Sequence, residues 1–312
     1  MAYKAFNPDF TCKGKQYEEN TTYEENGNEI CEAGVMHYCE NPFDVLDYYP
    51  LVNENGEISE FAEVEPLGKV FKRENKCATN KLHIKAKLGL KSFIKACVDF
   101  TLEKTKIEEI EDGIENDNGN NSAQIGSSGY SAQIGSSGDY AKIGSSGDSA
   151  QIGSSGDSAQ IGSSGDSAKI GSSGDSAKIG SSGDSAQIGS SGDYAKIGSS
   201  GDSAQIGSSG YSAQIGSSGD YAKIGSSGDY AKITSKGKHS VVMAAGYQSQ
   251  AKAKKGSWIT LAEWVRTDDK DEKGFCIWIP KCVKTEYVDG ERIKEDTFYK
   301  LVDGEFKEVE EN

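Results

Sequence analysis

From Ser122 to Asp229 the chain repeats one nine-residue phrase, Ser/Tyr-Ala-Gln/Lys-Ile-Gly-Ser-Ser-Gly-Asp/Tyr, twelve times without an insertion. Three degraded copies, YAKITSKGK, HSVVMAAGY and QSQAKAKKG, carry the period on to Gly256. A unit this short cannot bury its own apolar face, so neighbouring units must stack. Its Ala and Ile stand two apart and share one side of an extended segment, while Ser or Tyr and Gln or Lys take the other. A helix is excluded by the Gly-Ser-Ser-Gly that follows each time. The two glycines are expected to supply positive φ at a corner, which the ninth-position Asp closes through nearby amides. The reading is a mainly β chain built on a β-solenoid (β-helix) over 122–256. Each nonapeptide is a half-coil, two make a flattened 18-residue coil, and twelve give a rod of about 29 Å at roughly 4.8 Å per rung. Some corner serines are expected to turn inward. A triangular 27-residue coil competes with this geometry, because 122–148 and 203–229 are identical blocks. The short corner and the narrow Ala/Ile filling favour the two-sided coil.

Open solenoid ends would pair with other chains, so covers are expected. Ahead of the repeats, LGLKSFIKACVDFTLEKTK places Leu90, Phe93, Ile94, Cys97 and Val98 on one face of a helix. That helix and an acidic linker fill 89–121 and are expected to cap the rod. Residues 257–312 read as a β-rich cap, with Asp289-Gly290 and Asp303-Gly304 as hairpin turns. Trp258, Trp264 and Trp278 all fall in it, which points to a core of its own and to a homodimer contact. Residues 1–88 form a small α+β domain. MAYKAFN, TTYEE, EFAEVEPLG and KLHIKAKL read as its strands, and ENPFDVLDYYP as a short helix with Asn41 as N-cap and Pro42 at its first position.

The net charge of −15 is unevenly spread. Residues 1–121 carry 14 basic and 24 acidic side chains, 122–229 carry 5 and 10, and 230–312 carry 15 of each. A nucleic-acid binder would show the opposite sign, so no direct nucleic-acid contact is expected. An acidic surface suits a basic protein partner or imitation of a phosphate backbone. MAYKAFNPDF lacks a basic stretch followed by an apolar core, and no apolar run is long enough to span a bilayer. Seven cysteines without a compact spacing framework read as reduced thiols, hence a cytoplasmic protein without membrane partners.

The segments YKAFNPDFTCKGKQYEE, GVMHYCENPFDVLDYYP and FAEVEPLG, with EDTFYKLVDGEFKEV near the end, carry a family resemblance. Together they are similar to an uncharacterised family of phages, prophages and gut bacteria. In it such a module precedes short repeats resembling those of bacterial ice-nucleation proteins. The resemblance implies a phage-associated setting inside a bacterial host cell and brings no catalytic residues. This chain departs from the ice-nucleation pattern in repeating every nine residues rather than eight and in lacking its threonines.

Residue pattern discriminates among several site chemistries. Calcium-binding nonapeptides place Asp one position later and the large apolar residue one earlier than here. A one-residue slip reverses which side chains face inward, so a turn-capping aspartate is favoured over a calcium-dependent secreted protein. An ice-interacting solenoid wants ranks of Thr, and the twelve regular units hold none. Cys12, Cys31, His37 and Cys39 lack the close pairs of structural zinc, so neither metal nor cofactor is expected. Glu63, at the centre of EFAEVE, would supply a catalytic carboxylate to an ADP-ribosyltransferase-like enzyme confined to the amino-terminal domain, though spaced strand glutamates such as Glu63 and Glu65 are ordinarily a solvated face. In the repeats, Tyr140, Tyr194, Tyr221 and Tyr230 are each followed two residues on by Lys142, Lys196, Lys223 and Lys232, and Tyr130 and Tyr211 take the ninth position. These rows are the candidate binding surface, against surface packing or copied blocks. The expected function is a non-enzymatic interaction protein. Its specific form is an inhibitor of a bacterial defence or host nucleic-acid enzyme, acting by steric blockade or acidic mimicry.

Overall fold

The computed structural model describes residues 1–27, 29, 34–53, 57–73, 76–104, 114–117 and 122–309; Cys31 and most of the acidic linker lie outside them. The repeats wind into a two-sided β-solenoid with two ten-stranded sheets. Successive strands alternate between the sheets, so each pairs in parallel with the strand 18 residues on: Gln133 with Gln151, Ile134 with Ile152. The two-sided coil therefore holds and the triangular one does not. Every second- and fourth-position side chain from Ala132 to Ile233 is buried, and the isoleucines stack into one core column. The degraded copies continue this as Lys232–Ser235, Val241–Ala244 and Gln250–Lys252.

The corners differ from the expectation in one respect. Positive φ falls on most first-position residues, such as Ser158 (57°) and Tyr194 (58°), and on no described glycine of the twelve regular units; Gly256, at the end of the last degraded copy, has a φ of 92°. Eighth-position glycine is needed for space instead: a Cβ on Gly156 would collide with the carbonyl oxygen of Gly138 in the coil beneath. With that position committed to close stacking, the left-handed turn passes to its neighbour, at a cost of about 1–2 kcal/mol per non-glycine residue. A backbone bond between coils offsets it, as Tyr140 N donates to Asp157 O at 2.8 Å. Ninth-position carboxylates cap the corners: Asp139 Oδ1 accepts from Asp157 N (3.0 Å), and Asp157 Oδ1 from Asp175 N (2.8 Å). Sixth-position serines do turn inward, and the hydroxyls from Ser154 to Ser226 have no hydrogen-bond partner among the described residues.

The amino-terminal module is built on a four-stranded antiparallel sheet in the order Ala2–Phe6, Glu60–Pro66, Lys81–Leu88, Thr21–Glu24. ENPFDVLDYYP forms a 3-10 helix, Pro42–Asp47, capped as expected by Asn41, whose Oδ1 accepts from Phe43 N at 3.1 Å. Helix α1 spans Leu90–Lys104 with Leu90, Phe93, Ile94, Cys97 and Val98 buried. It shares the module's core, where Phe93 stacks on Phe61 with ring centroids 3.7 Å apart.

The expected end-capping role of α1 is corrected. The helix lies flat along one side of the rod, across the strands Lys142–Ser145 to Lys196–Ser199. At the amino-terminal end a strand within the supposed linker, Ile114–Asp117, pairs in parallel with Gln133–Ser136. Adding a strand satisfies the edge N–H and C=O groups directly, which a helix cannot do.

The carboxy-terminal end is capped as expected. Trp258–Lys270 continues one sheet in parallel, and Cys276–Tyr287 then runs antiparallel to it, which ends the stack. Tyr299–Val302 and Glu305–Glu308 close the other sheet through the Asp303-Gly304 turn, with φ of 52° and 70°. Asp289-Gly290 is not a hairpin turn but part of a loop in which Asp289 Oδ1 accepts from Glu291 N and Ile293 N. The long hairpin turns at Asp271–Phe275 instead, where Asp271 Oδ1 accepts from Phe275 N. The tryptophans do not make a core: Trp258 and Trp278 are 47 % and 43 % exposed. Val288, Ile293, Tyr299 and Leu301 extend the isoleucine column to finish it.

Candidate interaction surfaces

The solenoid's two faces carry the same repeat and meet different surroundings. On the covered face the module packs against the fifth-position glycines. Thr101 and Val98 lie over Gly162, Val98, Ile94 and Phe43 over Gly180, Ile94 over Gly198, and Leu90 and Leu51 over Gly216. The third-position side chains of that face reach into the module. Lys178 pairs with Asp47 at 2.6 Å, Gln160 bonds Asn41 and Asp44, and Lys196 and Lys232 donate to the carbonyls of Leu46 and Asn53. On the open face the glycines from Gly153 to Gly207 face solvent. They floor a trough of about 1300 Å³, walled on one side by Gln133, Gln151, Lys169, Gln187, Gln205 and Lys223.

The expected tyrosine–lysine rows are thereby divided. Lys196 and Lys232 are half-buried anchors of the module, Lys142 is half-buried on the same face, and Lys223 alone of the four is exposed, on the open face. The tyrosines stay at the edges, where Tyr130, Tyr140, Tyr194, Tyr211, Tyr221 and Tyr230 are all exposed. Three of them meet on one edge: Tyr194 lies 5.7 Å from Tyr211, and Tyr211 5.2 Å from Tyr230, centroid to centroid. Tyr247 and Trp278 extend the ladder at 5.6 and 4.5 Å. Sequence reasoning misses these last two as site residues. The signal is in the numbering, since 194, 211, 230 and 247 step by about one coil, and only Trp278 needs the hairpin to bring it there. Tyr221 stacks on His239 along the opposite edge.

The module holds a cavity of about 270 Å³ lined by Lys4, Cys12, His37, Cys39 and Tyr49 among others. Lys4 is buried and donates to His37 O at 2.9 Å; loss of solvation pulls its pKa down. Burial and the nearby lysines Lys76, Lys13 and Lys4 push His37 down to about 4. Burial pushes the Cys39 thiol up to about 12, and Tyr49 donates its hydroxyl to Cys12 Sγ at 3.1 Å. At neutral pH the pocket presents a neutral imidazole and a protonated Cys39 thiol. Glu65 is paired with Lys85 at 3.2 Å, and Glu63 sits half-exposed opposite Tyr3. Among the described residues, no helix is long and apolar enough to cross a membrane.

Residues 1–96 match DUF7666, a domain of unknown function. The match fits the expectation of an uncharacterised amino-terminal module, and it takes in the first part of α1. Comparison with curated proteins and with solved structures gives no match.

Proposed function

We propose that the chain is a non-enzymatic interaction protein whose rod fixes the module on one side and offers its other side and one aromatic edge to a macromolecular partner. The observation that carries this is the ladder Tyr194–Tyr211–Tyr230–Tyr247–Trp278. Four of these five rings are at least 40 % exposed, and they run continuously beside the open sheet. Aromatic side chains with one wet face are favoured at interfaces because they bury much area at small entropic cost. A surface of identical rungs tolerates changes in unit number, whereas a catalytic constellation needs positions held to within about an ångström.

The partner we place first is a bacterial defence or host nucleic-acid enzyme, met in the cytoplasm of a phage-infected cell. The sequence resemblance supports the setting, and Cys12, Cys39, Cys77, Cys97, Cys276 and Cys282 are free thiols, which suits a reducing compartment. Charge supports the partner class. Asp139, Asp157, Asp175 and Asp193 line one edge of the rod, and Asp148, Asp166, Asp184, Asp202 and Asp220 the other. Two such rows, stepped at about 4.8 Å, give a basic nucleic-acid-binding surface something to rest on.

The test is affinity capture from phage-infected bacterial lysate with the full chain and with a Tyr194→Ser, Tyr211→Ser, Tyr230→Ser variant. A specific protein retained by the first and lost from the second is the expected result. Equal retention by both would remove the ladder from the function.

A further inference from the structure

We infer that the open sheet is a second helix-docking groove, whose glycine column takes an amphipathic α-helix of a partner protein, aligned with the rod and carrying acidic residues beside Lys169 and Lys223. The inference rests on reading the rod as an interaction scaffold and specifies what the open face recognises.

The template is within the chain. On the covered face, α1 sets Leu90, Ile94, Val98 and Thr101 over Gly216, Gly198, Gly180 and Gly162 in turn. A helix turn rises 5.4 Å and a solenoid rung about 4.8 Å, so a helix running along the rod drops one side chain into the glycine notch of each coil. The open face repeats that surface from Gly135 to Gly225, with the same third-position ridge and the same notch. Its six glycines span about 24 Å, enough for a helix of about 16 residues.

Among the described residues, nothing occupies the notches at Gly153, Gly189 and Gly207. A Cβ placed on Gly153, Gly189 or Gly207 would meet no atom within 4 Å, whereas on Gly180 it would touch Phe43 and on Gly198 it would strike Ile94. The glycines of the covered face make room for a helix, and those of the open face leave the same room unfilled.

Charge indicates the occupant. Lys178, on the covered face, is neutralised by Asp47 at 2.6 Å. Lys169 and Lys223 are exposed on the open face and form no salt bridge among the described residues. They stand three rungs apart, about 14 Å, or two to three helix turns. A second copy of this chain does not fit, because two open faces would set Gln and Lys ridges together without a carboxylate or an apolar knob between Gln133 and Lys223. The α1 of each copy is already engaged with its own rod. Helix-in-groove recognition by a different, acidic amphipathic helix is what remains.

The probe is a fluorescein-labelled peptide of residues 88–104 with Cys97→Ser, Lys91→Glu and Lys95→Glu, titrated with the full-length protein by fluorescence anisotropy. Saturable binding on the order of 10–100 μM is expected, in keeping with one short helix that must order on binding. A Gly189→Leu, Gly207→Leu variant fills the open notches without touching the covered face. It is expected to unfold at an unchanged temperature and to bind at least tenfold more weakly. Lys169→Gln with Lys223→Gln should weaken binding of this peptide and leave that of the version retaining Lys91 and Lys95 nearly unchanged. Absence of saturable binding, or binding unaffected by the leucines, would overturn the groove. Should the groove fail while the tyrosine variant still loses its captured partner, the scaffold reading survives with the ladder as its surface.

Discussion

The Lys178 ammonium, 7 % exposed, lies 2.6 Å from the Asp47 carboxylate, which joins the middle of the rod to the last residue of the module's 3-10 helix. Removing one partner strands the other. Asp47→Ala leaves a buried lysine unpaired and is expected to cost about 2 kcal/mol; this falls below the ~3–5 typical of fully buried pairs because Asp47 is itself 39 % exposed. Joint replacement by Lys178→Met and Asp47→Leu should recover most of the loss. Urea unfolding of the three proteins checks both expectations, and equal stability of Asp47→Ala and the parent would show that the pair does not clamp the module.

Two glycines three residues apart should respond oppositely to one methyl group. Gly156→Ala drives a Cβ into the Gly138 carbonyl oxygen, a backbone atom held by the coil beneath, and should cost about 3 kcal/mol. Gly153→Ala meets nothing within 4 Å and should be neutral or slightly stabilising, since Ala loses less backbone entropy on folding. The difference in denaturation midpoint between the two variants is the measurement.

The inward serines place hydroxyls without partners in the core column. Ser181→Ala and Ser199→Ala remove a buried polar group at nearly constant volume. Each should leave stability unchanged or raise it by up to about 1 kcal/mol, because no hydrogen bond within the protein is lost with the hydroxyl. A fall in melting temperature would show that these hydroxyls are satisfied in solution, by interior water for instance.

Corner aspartates already spend an oxygen on the next coil's amide, as Asp157 Oδ1 does on Asp175 N. Excess chelator is therefore expected to leave the β-sheet circular dichroism and melting temperature unchanged. Asp157→Asn keeps the acceptor and should be mild, while Asp157→Ala should cost about 1 kcal/mol. Chelator-induced unfolding would restore the calcium-dependent reading of the repeat.

Cysteine reactivity should divide by location. Hydrogen bonds from Lys270 and Arg266 to Cys276 Sγ, both 2.8 Å, favour the thiolate and lower its pKa on the exposed hairpin. Cys97 is fully buried, and its thiol is pushed well above the ordinary value by desolvation. Iodoacetamide at neutral pH should alkylate Cys276 first and Cys97 only on unfolding, as read by peptide mass spectrometry. Parallel labelling of the two would contradict this packing.

The repeat alone determined the rod. Alanine and isoleucine two apart, followed by Gly-Ser-Ser-Gly, called for stacked extended rungs, while the 18-residue coil was decided over the 27-residue one by the pairing of Ile134 with Ile152. Asn41 and Pro42 marked a helix start, and Asp303-Gly304 a hairpin, because those signals act over a few bonds. Asp289-Gly290 shows the limit of such signals, since the same dipeptide closes a loop where no second strand returns. Long-range choices were the tertiary structure's. The apolar stripe of α1 stated that the helix must be covered and not by which surface, and a column of glycines with the pitch of a helix turn proved a better fit than an open rod end. Identical units likewise could not say which face would be covered. That followed from where the module lands, and it turned Lys178, Lys196 and Lys232 into anchors while leaving Lys169 and Lys223, the same residue at the same position of the repeat, facing water.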